Sequence, residues 1–196
     1  MKKIFKTTSR YSTYKDSGSK WIGQIPDSWE VSSLGQLMKP ISEKNQPNLP
    51  LLSITRERGI IVRDINDQDS NHNFIPDDLS SYKVIQKGQF GINKMKAWQG
   101  SYGVSDYKGI VSPAYFIFDF RKPIIPEYFH WAIRSSLYIS YFASASDGVR
   151  IGQWDLSKAR MKVIPFLLPK VKEQELIVSF LNEKTDEIKK AIRIKE

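Results

Sequence analysis

The sequence predicts an α+β fold: a mixed or antiparallel β-rich domain with packed helices, followed by a long C-terminal α-helix of coiled-coil type. Three observations carry this. Short β-branched and aromatic runs such as "LLSITRERGIIV" and "GIVSPAYFIFDF" are punctuated by Gly, Pro and Asn. "IPEYFHWAIRSSLYISYFASAS" is amphipathic at helical spacing. Residues 170–196 form a charged rod with one stripe of Ile177, Leu181, Ile188, Ala191 and Ile192. Strands precede and interrupt helices without a βαβ rhythm, which argues against a doubly wound sheet.

In chain order, residues 1–20 are rich in Ser, Thr and Lys and read as a basic arm. The domain proper is expected over 21–169 and the helix over 170–196. In "WIGQIPDSWEVSSLGQL", Pro26 and Asp27–Ser28 make a turn, and "WEVSSLGQL" reads as a strand or as the entry from a strand into a helix. "LPLLSITRERGIIV" reads as a hairpin turning at Gly59, and the polar stretch around His72 reads as irregular. "YKVIQKGQFGINKM" offers two short strands about a Lys87–Gly88 turn. "KAWQGSYGVSDYKG" reads as a loop and "GIVSPAYFIFDF" as one strand. The long amphipathic segment is expected as one helix, with Pro126 near N1 and Glu127 in its first turn. "DGVRIGQWDLSKARMKVIPFLLP" reads as turn, short helix and strand, before the terminal helix.

Composition excludes several functions. The chain has 196 residues, 24 Phe, Trp and Tyr, and no cysteine, so disulfides, thiolate metal sites and cysteine nucleophiles are absent. Two histidines, His72 and His130, are too few for a histidine-based metal site without carboxylates. No apolar run approaches the roughly 20 residues of a membrane span, and no apolar core follows the basic start to make a secretory signal. A cytoplasmic location and no membrane partner are the simplest reading. No phosphate-loop or dinucleotide fingerprint is present. "SPAY" (Ser112–Tyr115) lacks the Asn an adenine methyltransferase would use on its target amine, and reads as the start of a strand. Asp77, Asp106 and Lys108 mimic the short carboxylate–lysine pattern of a Mg²⁺ nuclease. That pattern arises often by chance, and here it falls on turn- and loop-like segments. No catalytic residue, metal or cofactor is expected.

The formal charge is +9, and residues 83–108 hold five lysines against one acid. A basic protein favours polyanions, nucleic acid first. Basic, amide and aromatic side chains alternate in three loop regions. They supply Arg56 and Arg58; then Asn93, Lys94, Lys96, Trp98, Gln99 and Tyr102; then Arg150, Gln153, Lys158 and Arg160. Arg and Lys match guanine edges and Asn and Gln match adenine edges, although the same lysines can hold phosphates without reading sequence. The residues alone thus give a DNA-binding α+β domain.

Three stretches resemble one family. "YKDSGSKWIGQIPDSWEVSSLGQL" is similar to the N-terminal signature of specificity subunits of type I restriction–modification systems, at Tyr14-Lys15, Ser17-Gly18, Trp21-Ile22-Gly23, Ile25-Pro26, Trp29-Glu30-Val31 and Leu34. "VIQKGQFGINKM" and "KGIVSPAYFIF" resemble two of its strands, with Gln89 replacing a frequent acid. "LPKVKEQELIVSFL" resembles the start of its conserved helix, through Pro169, Glu173, Gln174, Ile177 and Leu181, with Leu168 in place of a commoner Pro.

The resemblance implies a non-catalytic target-recognition domain joined to a spacer helix, reading one half of a bipartite site on double-stranded DNA. It implies adenine methyltransferase subunits and a restriction–translocase subunit as partners. It also implies a second half-subunit, or a second copy, paired through Ile177, Leu181, Ile188 and Ile192, with Lys184 fixing register. The helix ends without a stop signal, so a piece of a longer subunit is favoured over a natural half. A module of a single-chain restriction–methylation enzyme is the alternative.

Overall fold

The computed structural model describes residues 11–64, 75–150 and 153–193. A small antiparallel hairpin, β1 (Tyr14–Asp16) and β2 (Gln24–Pro26), opens it. Strand β3 (Glu30–Ser33) runs into the one-turn helix α1 (Leu34–Leu37). Ser33 and Gln36 close a capping box there: the Ser33 hydroxyl accepts from the Gln36 amide, and the Gln36 side chain accepts from the Ser33 amide. Strand β4 (Met38–Ile41) follows, then the expected hairpin of β5 (Leu52–Thr55) and β6 (Gly59–Val62). Gly59 takes φ of +71°, which a side chain would resist. Strands β7 (Lys83–Ile85) and β8 (Phe90–Ile92) flank the Lys87–Gly88 turn as expected but join different sheets.

Four later segments differ from the sequence reading. The loop expected after β8 contains a 3₁₀ turn (Ala97–Gln99) and strand β9 (Tyr102–Val104), because Tyr102 is drawn fully into the core beside Phe90 and Phe142. "GIVSPAYFIFDF" is two strands, β10 (Gly109–Val111) and β11 (Phe116–Phe120), parted by a turn in which Pro113 has no amide to offer a ladder.

The expected single helix is α2 (Pro126–Ile133) and α3 (Ser136–Ser144). Along one straight helix, Tyr138 and Phe142 would sit about 140–180° around the axis from Phe129 and Ile133. The break at Arg134–Ser135 lets all four enter one core. Next, a hairpin of β12 (Ser146–Arg150) and β13 (Gln153–Leu156) replaces the expected turn. The short helix α4 (Lys158–Lys162) and strand β14 (Pro165–Leu168) come where the sequence places them, and α5 runs from Val171 to Arg193.

An antiparallel sheet of order β4-β11-β8-β9 is the centre. One face carries the main core, where the Phe129 ring packs on Phe90 and Phe166 at 4.9 and 4.8 Å. The other packs on β5 to β7 and β10 through Leu52, Ile54, Ile60, Ile85 and Val111. Gly91 makes that approach possible: a Cβ there would lie 2.9–3.0 Å from Ile54, Ile60 and Ile85.

Strand β14 pairs antiparallel with β3, joining the end of the domain to its beginning. Helix α5 is pinned at the same place. Buried Gln174 accepts from the Ile125 amide (2.8 Å) and donates to the Pro169 carbonyl (2.9 Å). Glu173 accepts from the Trp29 indole at 3.0 Å and from the Tyr11 hydroxyl, whose pKa is pushed up to about 12 by burial and by that carboxylate.

Candidate nucleic-acid interface

An open cleft of about 1130 Å³ runs along the β5–β6 hairpin and the turns at 93–101 and 112–115. Five of the twelve residues picked out from the sequence as suited to DNA line it: Arg56, Arg58, Asn93, Lys96 and Gln99. Arg56 and Arg58 project from the hairpin tip, where Arg56 pairs with exposed Glu57 at 2.8 Å.

That tip is held by a residue the sequence reading passed over. The Arg134 guanidinium, at the break between α2 and α3, donates to the carbonyls of Arg56 (2.7 Å), Glu57 (3.0 Å) and Tyr102 (2.7 Å), with a longer bond to Gly100 (3.5 Å). A planar fork can brace two loops at once, which a lysine cannot do.

A second basic group lies beyond the 112–115 turn. Lys83 donates to the Tyr115 carbonyl at 2.6 Å. The Lys158 ammonium stands 4.2 Å above the Phe116 ring. Lys94 pairs with Asp155 at 2.8 Å, and its carbonyl accepts from the Leu156 amide, two residues before Lys158. Lys44 is brought in by the bond from the Val84 amide to the Glu43 carbonyl. Burial lowers the pKa of Lys83, and Lys158, Lys44 and Lys94 lower it further. Cationic side chains gathered this way suit a polyanion. The turn carrying Asn93 to Lys96 lies between this group and the cleft, so the two form one basic surface.

Two predicted contacts are buried. Tyr102 is 0% exposed, so its ring builds the core and cannot reach a base. Asn93 is 8% exposed and serves its own turn, accepting from the Met95 amide at 3.2 Å and donating to the Tyr115 hydroxyl at 3.4 Å. The side chains of Arg150 and Gln153 lie outside the described residues, as does His72. The sequence reading missed Arg63, Met95, Tyr107 and Tyr115 on the cleft and Lys44 and Lys83 beside it. The excess of lysine over 83–108 was a signal for Lys83; for the others, only the fold assembles them.

The helical stripe divides. Ile177 packs on the chain's own core and Leu181 is half-buried, whereas Ile188 and Ile192 are 60% and 54% exposed. Leu176 and Phe180, outside the predicted stripe, are also exposed.

His130 is tied down: its Nδ1 accepts from the Val104 amide at 3.2 Å, and burial, with Arg134 nearby, holds its pKa below the ordinary value. Asp106 lines a separate pocket of about 380 Å³ with His130, and Asp77 lines neither cavity. Among the described residues, no group of three or more His, Asp or Glu is arranged to hold a metal. Among them, too, no helix is long and apolar enough to cross a membrane.

The architecture is one shared with specificity subunits of type I restriction–modification systems. The chain is similar to the HsdS subunit from Thermoanaerobacter tengcongensis, with TM-score 0.61 and 15% identity over 87% of this chain and 45% of that one. It is similar to the S subunit of the type I restriction–modification system of M. genitalium, with TM-score 0.51 and 11% identity over 85% and 42%. A chain from a structure of a type I system, described in terms of complex assembly and conformational transition, matches with TM-score 0.55 and 16% identity over 92% and 43%. At such identities the likeness is one of fold, and this chain spans less than half of each of the three. No family model matches the sequence, and no curated protein does.

Proposed function

We propose that this chain is a non-catalytic, sequence-reading DNA-binding module, equivalent to one target-recognition half of a type I specificity subunit. It reads one half of a bipartite site and works in the cytoplasm with adenine methyltransferase and restriction–translocase subunits. The observation that carries the reading is the joining of the cleft (Arg56, Arg58, Lys96, Gln99) and the lysine group (Lys44, Lys83, Lys94, Lys158) into one basic surface. The lysines suit phosphates and the cleft suits base edges. Residues 21–169 act as the reader and 170–196 as the spacer.

The free half of α5, with Ile188 and Ile192 exposed beyond the domain, pairs with the corresponding helix of a second half. Ile177 is already committed to its own core, so it contributes to that seam indirectly.

The test is duplex binding by the purified chain as a function of salt. Affinity in the micromolar range is expected for a single half-site module, with log K falling against log salt at a slope of roughly −4 or steeper. Binding insensitive to salt would overturn the proposal.

A further inference from the structure

The turn Asn93–Lys96 ends in an exposed methionine. Met95 is 47% exposed and lines the cleft, with Lys94 on one side and Lys96 on the other. The turn is rigid. Lys96 N donates to Asn93 O (3.0 Å) and Asn93 N to Ser101 O (3.0 Å). Leu156 N donates to Lys94 O (3.0 Å), and Lys96 O accepts from Gln99 N and Ser101 N (3.1 and 3.2 Å). The Met95 amide is itself taken by the Asn93 side chain at 3.2 Å. The fold thus occupies these amides and carbonyls, and what the tip presents to a ligand is one thioether chain flanked by Lys96 and by Lys94, whose ammonium is shared with Asp155. An apolar side chain gains nothing from phosphates, and nothing within the described domain covers it.

Resting on the reading of this surface as a DNA interface, we propose that Met95 is a specificity-determining residue: it enters the major groove between phosphates drawn to Lys94 and Lys96 and packs on the C5-methyl group of a thymine. Thymine is the base that presents a methyl group in that groove, so an apolar tip there discriminates T·A from the other pairs. Because the turn is already formed, binding needs no backbone ordering there, and only the side chain of Met95 has to be fixed against the base.

The test is selection from a random duplex pool with the wild-type chain, Met95→Ala and Met95→Leu. Wild type should enrich a motif containing thymine. M95A should lose preference at one or two adjacent positions and keep the rest, and M95L should retain it. Uracil in place of that thymine removes one methyl group. It should weaken the wild type about four-fold and leave M95A unchanged. The proposal is overturned if M95A enriches the same motif as wild type, or if uracil weakens both proteins equally or neither. If wild type enriches no motif, the DNA-reading assignment itself falls, which is a different result from failure at Met95 alone. Because Met95 is exposed and makes no packing contact in the core clusters, its variants remain folded, as circular dichroism will confirm.

Discussion

Arg134→Ala should loosen the recognition surface without touching a single predicted DNA contact. Its guanidinium serves four backbone carbonyls, two at 2.7 Å, and ties the β5–β6 tip to the start of β9. A hydrogen bond to a charged donor contributes about 1.5–3 kcal/mol. Counting the two short bonds and discounting for a half-exposed side chain gives a loss of about 2–4 kcal/mol. For a chain of this size that lowers the melting temperature by roughly 5–15 °C. Arg134→Lys keeps the charge but cannot span both loops, and should fall between. Thermal unfolding followed by circular dichroism reads the stability, and duplex binding at a temperature where the variant is folded reads the function. Affinity should drop as Arg56 and Arg58 lose their fixed positions. A melting temperature within about 2 °C of wild type would refute the brace, and normal stability with weak binding would mean that Arg134 contacts DNA directly.

Other substitutions probe separate parts of the account. Gln174→Leu leaves the Ile125 amide and Pro169 carbonyl without partners and should cost about 2–4 kcal/mol in denaturant unfolding. A loss under 0.5 kcal/mol would mean that water replaces both bonds. His130 has a folded-state pKa held below its unfolded value of 6.5. Its contribution is therefore complete above pH 6.5 and is lost as pH falls, by at most about 1.4 kcal/mol per pH unit. Unfolding titrations between pH 6.5 and 5 should show that slope in wild type and lose it in His130→Gln, which keeps an acceptor for the Val104 amide. Lys158→Gln should change stability by less than about 0.5 kcal/mol, because lost stacking on Phe116 is offset by less crowding of lysines. It should weaken duplex binding uniformly across sequences and reduce the salt slope by about 1. A sequence-dependent loss would instead place Lys158 against a base.

Local chemistry made much of the fold legible. The β5–β6 hairpin follows from Gly59 between two β-branched runs, and α5 from its charged periodicity. Segments whose conformation depends on distant partners were not legible. Tyr102 looks like a polar-tipped loop aromatic until Phe90 and Phe142 close around it. The α2–α3 break answers to the shape of the core, and no Pro or Gly marks it. In the candidate interface, charge drew attention to Arg56, Arg58 and Lys96. Lys44, Lys83, Met95 and Tyr115 come from separate strands and turns, and only the packing of β7, β10 and β11 assembles them. The resemblance at Trp29, Glu173 and Gln174 has a plain physical basis: these side chains lock the base of α5 to the domain.

If this chain reads DNA sequence for a methylating partner, adenine methylation in the source genome depends on its gene. The decisive experiment maps that methylation genome-wide with the gene intact and deleted, under conditions where its transcript is detected. The account predicts that one split motif loses methylation on deletion, and that exchanging residues 30–165 changes only one half of that motif. A methylation pattern unchanged by deletion of an expressed gene would contradict it.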